Sequence, residues 1–478
     1  MKVLFAASEA MPFIKSGGLG DVAGALPGEL KKLKIDARLV IPFYSGIPES
    51  LREEATLIKE FTVPLAWRHQ YCGVYRIVID GLTCYLIDNE YYFKRKGTYG
   101  QYDDGERFAY FSMACLEMIR HLDFLPDIIH CNDWHTGLIP VYLRIFYQDD
   151  PMYAGIKTMF TIHNIEYQGI YGRDTLYDVF GIPEKHAHHL EYNQTYNVMK
   201  GALQTSDAIT TVSRTYAEEI LHPFYANRLE HILKENAWKI KGIVNGIDTR
   251  TYDPATDKHL FAPYDKENPA GKAKNKAGLQ KLFCLPETPD IPLLAMITRL
   301  TGHKGIDLVN TVVEQILSND IQMVVLGQGE WLYETRFKDL EKKYPTKFKA
   351  AITFSPDLAS QIYAGADMFL MPSRSEPCGL AQMIAMRYGT VPIVRETGGL
   401  KDTVAPYNPK TKKGNGFTFF SYDAYDMMDA VKRALALYED KENWQAVMQN
   451  AFSSDSSWKS SAKEYKKAYT DLLKKQER

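Results

Sequence analysis

Short apolar runs alternate with amphipathic stretches along nearly the whole chain, and this alternation predicts a repeated strand–helix order. Residues 3–7 read as a strand, 20–33 as a helix and 37–41 as a strand, with further strands at 74–79 and 84–87. A long helical pattern covers 108–121, and strand patterns return at 128–130 and 158–162. A second series begins near Pro292, with strands at 293–297, 322–326, 351–354, 368–371 and 391–394. Helices are expected between them at 306–317, 359–364 and 380–388. Runs buried on both faces and separated by helices belong to parallel sheets, so the expected fold class is α/β. Two doubly wound, Rossmann-like domains are expected, 1–244 and 249–455, joined near Asn245–Asp248 ahead of a Lys-rich polar stretch at 253–281. A Lys-rich amphipathic helix over 456–475 closes the chain, within a last segment 456–478. Such domains bind ligands at the carboxyl ends of their strands, and a central cleft between the two is the expected place.

Composition changes this picture little. The chain has 478 residues, 45% of them apolar and 24% charged, enough for sizeable cores. Lys plus Arg (57) nearly balances Asp plus Glu (59), which supplies no overall field to recruit nucleic acid or an anionic membrane. Six cysteines lie scattered with no CxxC pair, so a reducing, cytoplasmic setting is expected rather than disulfides or structural zinc. The apolar run before Glu9 is shorter than the roughly 7–15 residues of a secretory leader core, and reads as the first buried strand. No apolar run reaches the roughly 18–20 residues of a membrane span.

Chemistry is concentrated in the loops that leave the predicted strands. Lys15-Ser-Gly-Gly-Leu-Gly-Asp21 opens the first helix. Gly17 and Gly18 are expected to allow positive φ and close backbone approach, with helix-terminal amides forming an anion site. A tight turn with a solvated lysine is the plainer alternative. The loop is neither G-x-G-x-x-G nor a Walker loop, so neither a dinucleotide enzyme nor an ATPase follows. Ile297-Thr-Arg299-Leu-Thr-Gly-His-Lys304 carries two cations that can neutralise a diphosphate without magnesium, for which the chain offers no carboxylate cluster. Taken alone, they are equally ordinary surface residues.

In Pro372-Ser-Arg-Ser-Glu376-Pro-Cys-Gly-Leu380, Glu376 can accept from vicinal sugar hydroxyls, while amides of Cys378, Gly379 and Leu380 can meet a phosphate. The plainer readings are a helix N-terminal charge for Glu376 and a small buried residue for Cys378. Phe160-Thr-Ile-His163-Asn164 ends a strand with a histidine that is either an acid–base, a sugar contact or a structural residue. In Cys131-Asn-Asp133-Trp-His135, Asp133 is a sugar contact or the cap of the next helix.

Taken together and in this order, these motifs, with Val244-Asn-Gly-Ile-Asp248 and Thr397-Gly-Gly-Leu400, resemble the bacterial glycogen synthases and plant starch synthases over essentially the whole chain. The resemblance implies the GT-B fold, no metal and no cofactor, and a C-terminal helix returning to the N-terminal domain. It implies retaining transfer of glucose from ADP-glucose to the end of an α-1,4-glucan such as glycogen, with UDP-glucose the alternative donor. It further implies that Lys15 contacts the donor, that Asp21 belongs to the same loop and that His163 sits beside the transferred glucose. Arg299 and Lys304 fall on the family's donor-phosphate pair, Glu376 on its glucose carboxylate, Asn245 on a residue facing the cleft and Tyr99 on an aromatic near the sugar. Ser16, His303 and Ala381 depart from the commoner Thr, Gln and Ser or Thr. None of the three replaces Lys15, His163, Arg299, Lys304 or Glu376. A phosphorylase is disfavoured because no pyridoxal-phosphate lysine motif is found, and a silent glucan-binding relative because the phosphate-binding pieces are intact.

Overall fold

The computed structural model describes residues 1–474; the expected helix end at Lys475 and the tail to 478 lie outside the described residues. The chain forms two compact α/β units. One comprises Met1–Asn245 with the C-terminal helix Trp458–Lys474, the other Gly246–Ser457.

In the first unit, chain order gives β1 (Lys2–Ala6), β2 (Asp36–Pro42), β3 (Thr56–Leu65), β4 (Arg68–Ile79), β5 (Leu82–Asp88), β6 (Ile128–Asn132) and β7 (Lys157–Ile162). A small antiparallel sheet of β8 (Ile170–Tyr171), β9 (Glu191–Tyr192) and β10 (Thr195–Asn197) follows, then β11 (Ala208–Thr211) and β12 (Ile240–Gly242). The main sheet runs β12-β11-β7-β6-β1-β2-β5-β4-β3. From β12 to β5 it is parallel, and its middle strands are apolar and buried because helices cover both faces. β1 is the switch point: the chain leaves it toward β2 on one side and returns later to β6 on the other. Adjacent loops leaving β1 and β6 therefore diverge and leave a crevice at the carboxyl ends.

The C-terminal helix buries one stripe, Trp458, Ser461, Ala462, Tyr465, Tyr469 and Leu472, at helical spacing. Tyr469 Oη lies 2.7 Å from His130 Nδ1 on β6, and His130 Nε2 lies 2.6 Å from Thr161 Oγ1 on β7. Burial drives the His130 pKa down to about 3, so the ring is neutral and both nitrogens are matched by hydroxyls. Ser461 Oγ donates to Val244 O at 2.6 Å and Lys466 Nζ to Leu33 O at 3.0 Å, which ties the helix to both ends of the unit's fold.

The second unit holds β13 (Leu293–Ile297), β14 (Gln322–Leu326), β15 (Phe348–Ala351), β16 (Met368–Met371), β17 (Val391–Arg395) and β18 (Phe417–Phe419). Its sheet, β15-β14-β13-β16-β17-β18, is parallel throughout, with the switch point between β13 and β16. Its core gathers Met296, Val325, Leu370 and Ile393 from the strands with Val312, Ile316, Met427 and Val431 from the helices.

Several expectations need correction. The first sheet ends in an antiparallel β3–β4 hairpin, with β4 also antiparallel to β5. β3 is an edge strand with exposed Lys59 and Glu60, so it lacks the apolar signal of a buried strand. The strand expected at 351–354 lies at Phe348–Ala351, where Phe348 is the buried residue and Phe354 is solvent-exposed. The helix expected at 108–121 is α-helical over Asp104–Glu117 and tightens to a 3₁₀ turn over Met118–His121. β11, β12 and β18 are three to four residues long, too short for a periodic signal.

Replacing Tyr469 by Phe removes the hydroxyl that matches buried His130 Nδ1. The expected loss is about 1–3 kcal/mol of stability in chemical denaturation, and an unchanged midpoint would mean this hydrogen bond does not help hold the helix.

Candidate functional site

At the β1–β6 switch point the chain leaves β1 through Ala7-Ser-Glu9, loops through Lys15 and enters the first helix, Gly18–Lys32. The anion site expected at this helix start is already filled. Glu9, 2% exposed, accepts from the amides of Ser16 (2.7 Å), Gly17 (3.1 Å) and Gly20 (3.0 Å), and from the Ser16 hydroxyl. A carboxylate from the same unit thus takes the place foreseen for a phosphate, and the helix dipole favours it there. Nor do the glycines need positive φ: Gly17 is extended at φ −151° and Gly18 begins the helix. Apart from its chain neighbours and its own helix backbone, nothing lies within 4 Å of where a Cβ on Gly18 would sit, so there is open room at this exposed position. Lys15 Nζ, half-exposed, pairs with Asp21 Oδ1 at 2.7 Å.

Beyond Glu9 the crevice is lined by Tyr99 and by the loops after β6 and β7. Tyr99 Oη lies 2.8 Å from Ser8 Oγ, and its ring lies 4.5 Å from that of His135. Burial raises the Tyr99 phenol well above its ordinary range, and Glu9 adds to the shift, so it is a neutral donor or acceptor. Asp133 sits at φ 54° after β6 and does not cap the following turn. Instead its Oδ1 accepts from the amides of His163 (2.8 Å) and Asn164 (3.4 Å), clamping the β7 loop. Burial lifts its pKa to about 7 in spite of the two amides. Asn164 Oδ1 accepts from Glu166 N at 3.0 Å, a local turn.

The tautomer of His163 follows from its neighbour. Asn132 Nδ2 donates to Ala6 O (2.9 Å) and His130 O (3.3 Å), which turns Asn132 Oδ1 toward His163 Nε2 at 2.9 Å. Nε2 therefore carries the proton and Nδ1 is an acceptor. Burial lowers the His163 pKa to about 3, so at neutral pH the ring is not an imidazolium acid.

In the second unit, the loop after β13 contains Arg299 and the 3₁₀ turn Gly302–Lys304, and the loop after β16 contains Ser373 and Glu376. Gly305 brings the loops together: at φ +77°, a Cβ there would meet Pro372 O at 2.2 Å. This approach lets Lys304 Nζ reach both oxygens of Glu376, at 2.7 and 3.0 Å, while Ser373 Oγ donates to Oε2 at 2.8 Å. Burial by itself would raise the Glu376 carboxyl, but Lys304 and Ser373 outweigh it and hold the pKa below the usual range. Glu376 precedes the helix Ala381–Arg387 by five residues, so it is not a first-turn charge. Arg299 is exposed at the loop surface. Cys378 is buried and not in a disulfide, Gly379 turns the backbone at φ +71° and Leu380 is the N-cap of the helix. Arg395, at the end of β17, donates to Arg374 O at 2.8 Å and braces the Glu376 loop.

Each unit thus gathers its own set. Glu9, Lys15, Asp21, Tyr99, Asp133, His163 and Asn164 belong to one unit, and Arg299, Lys304, Glu376, Cys378, Gly379 and Leu380 to loops after strands of the other. Asn245 closes the first unit, 6% exposed, and its Oδ1 has no hydrogen-bond partner among the described residues. Asp248 is turned inward on its own loop, accepting from Arg250 N (3.0 Å) and Thr251 Oγ1 (2.9 Å). Sequence reasoning missed Glu9, Asn132, Ser373 and Arg395. Glu9 and Arg395 did carry a signal, a charge at or within three residues of the end of an apolar strand.

Comparison with known proteins agrees with this architecture. The Starch synthase catalytic domain family matches residues 2–235, and the Glycosyl transferases group 1 family matches 285–450. The catalytic domain of starch synthase IV from Arabidopsis thaliana, solved bound to ADP and acarbose, matches with a TM-score of 0.89 at 32% identity over 99% of both chains. Sucrose-phosphate synthase from Thermosynechococcus elongatus has a TM-score of 0.62 at 16% identity and shares the fold alone. Fold and site define a glycosyltransferase of the GT-B class, built from two Rossmann-like units. Glycogen synthase from Bacillus cereus (strain ATCC 10987 / NRS 248) is 51% identical over 475 residues, 99% of this chain and all of that one. The one from Geobacillus thermodenitrificans (strain NG80-2) is 50% identical, covering 100% of this chain and 99% of that one. The chain belongs to the glycogen synthase and starch synthase family of retaining glucosyltransferases.

The raised pKa of Asp133 has a stability consequence. Below about pH 4 the folded and unfolded chains both hold this proton; between about 4 and 7 only the folded chain does, so stability falls as pH rises through that window. Asp133→Asn keeps an oxygen for the two amides and removes the titration. Its unfolding free energy relative to wild type is expected to rise by about 2–4 kcal/mol from pH 4 to pH 8. A gap that does not change with pH would place Asp133 in the ordinary carboxylate range.

Proposed function

We propose that the chain transfers glucose from ADP-glucose to the non-reducing end of an α-1,4-glucan in glycogen synthesis in the cytoplasm. The observation that carries the reading is the Lys304–Glu376–Ser373 cluster at the β13–β16 switch point, in a chain 51% identical to glycogen synthases. Lys304 is held by a buried carboxylate until a stronger anion arrives. A donor diphosphate draws the ammonium away, and Glu376, still anionic, becomes an acceptor for vicinal glucose hydroxyls. Arg299 adds a permanent charge with two parallel donors.

The glycosidic C–O bond then loosens as negative charge moves to the departing diphosphate. One well-placed donor to such charge contributes roughly 3–4 kcal/mol to the lowering of the barrier. The acceptor 4-hydroxyl attacks from the face that the leaving group vacates, its proton passing to the departing diphosphate, giving the α product. His163 serves this step as a neutral contact whose Nδ1 accepts from a sugar hydroxyl, not as a proton donor. Lys15, released from Asp21 in the same way, is the further cation assigned to the donor in this reading. Adenine is preferred over uracil on the strength of the related starch synthase IV, which was solved with ADP. Within the described residues no helix is long and apolar enough to cross a membrane.

Labelled glucose is expected to pass to glycogen from ADP-glucose, much less from UDP-glucose, in the absence of added metal. Transfer that depends strictly on magnesium, or that prefers UDP-glucose, would overturn the reading. Lys304→Ala is expected to lower kcat by about two orders of magnitude or more, with a thermal melt checking that the variant is folded. Nearly unchanged turnover in a folded variant would remove Lys304 from the mechanism.

A further inference from the structure

The first unit has a second polar concavity at the opposite end of its sheet. It lies where β7, β11 and β12 begin, whereas Asp133 and His163 lie where strands end. The cavity measures about 300 Å³, the lower end of the range of small-ligand pockets. Arg144, Lys157 and Lys239 face it together with one carboxylate, Asp207.

That carboxylate is largely spoken for. Its Oδ2 accepts from Thr158 N at 2.8 Å and Thr158 Oγ1 at 3.0 Å, and its Oδ1 stands 3.7 Å from Lys157 Nζ. Lys239 Nζ is held on the cavity wall by Ser206 O at 2.7 Å and Gln204 O at 3.4 Å, two carbonyls that do not neutralise it. Arg144 is exposed and has no ion-pair partner among the described residues. Burial lowers the Lys239 pKa to about 8, with Asp207 opposing the shift and Arg144 adding a smaller part to it.

Two further observations point to a ligand. Ser206 is 3% exposed, and its hydroxyl, at the cavity wall, has no hydrogen-bond partner among the described residues. A water could satisfy that hydroxyl, but a water does not account for three cations around a single carboxylate whose ion pair, at 3.7 Å, is with Lys157. The indole of Trp238, 72% exposed, stands at the same cavity with Lys239 Nζ 5.7 Å from its ring centroid, and so sets an aromatic surface beside the cations.

We propose that this cavity binds a phosphate monoester carrying a ring, the phosphate on Arg144, Lys157 and Lys239 with the Ser206 hydroxyl, and the ring on Trp238. A hexose monophosphate and a nucleoside monophosphate share this chemistry. The site is separate from the donor crevice and does not depend on the identity of the donor.

The test titrates the intrinsic tryptophan emission of the full chain, at constant ionic strength, with glucose 6-phosphate, adenosine monophosphate and inorganic phosphate. The two monoesters are the sources to be told apart. At least one is expected to saturate with Kd below about 1 mM and at least tenfold more tightly than inorganic phosphate. Arg144→Ala should weaken that monoester at least tenfold while leaving glucosyl transfer unchanged; Arg299→Ala should leave its binding intact. Trp238→Phe should abolish the emission change but leave binding measurable by calorimetry. Three results would overturn the site: no saturation by either monoester below about 10 mM, equal affinity for inorganic phosphate, or binding lost in Arg299→Ala and kept in Arg144→Ala. The last would assign the signal to the donor crevice.

Discussion

Two neighbouring parallel strands whose connections leave for opposite faces of the sheet cannot close the space beyond their carboxyl ends. Everything else about the site follows from that constraint, which operates at β1 and β6 in one unit and at β13 and β16 in the other. The loops that border each gap begin directly from buried strands, so their first residues inherit a rigid base. Glu9, Asp133, Arg299 and Ser373 all stand within three residues of a strand end, and Lys304 and Glu376 within seven. A scaffold of this kind holds charged groups in place without asking the loops themselves to be stable.

Buried carboxylates are the expensive parts of such a site, and each is answered differently. Glu9 is matched by three amides and a hydroxyl, Asp133 by two amides, and Glu376 by an ammonium and a hydroxyl. The difference decides their chemistry. Amides are fixed, so Glu9 and Asp133 are bound into the fold and position the Lys15 and His163 loops. A lysine side chain can move, so Glu376 alone has a counterion that a ligand can draw off. Removing that partner with nothing in its place would leave an unpaired buried charge at a cost of several kcal/mol. In the proposed reading, an anion and a polyol arrive together so that Lys304 and Glu376 separate favourably.

Much of the fold was legible along the chain because parallel strands buried on both faces leave a continuous apolar run. β13, β14 and β16 could be delimited from that signal alone. The edges were not: β3 is half solvated, and β11, β12 and β18 are short and take their stability from neighbours distant in sequence. At the site, cations and carboxylates in strand-exit loops could be named from residue type and spacing, but not their partners. No spacing rule pairs residue 304 with residue 376, or shows residue 9 filling the helix start that glycines 17 and 18 seemed to reserve for a phosphate.

The sequence by itself determined the alternation of strand and helix, the loops that bear chemistry, and, through the conjunction of its motifs, the family. These are local properties, written in apolar period and in residue type at strand ends. The tertiary structure alone decided which charge meets which, which amides are already taken, and that His163 is neutral with its proton on Nε2. Those outcomes depend on desolvation and on distances of a few ångströms between segments far apart in the chain, and such quantities exist only once the chain is folded.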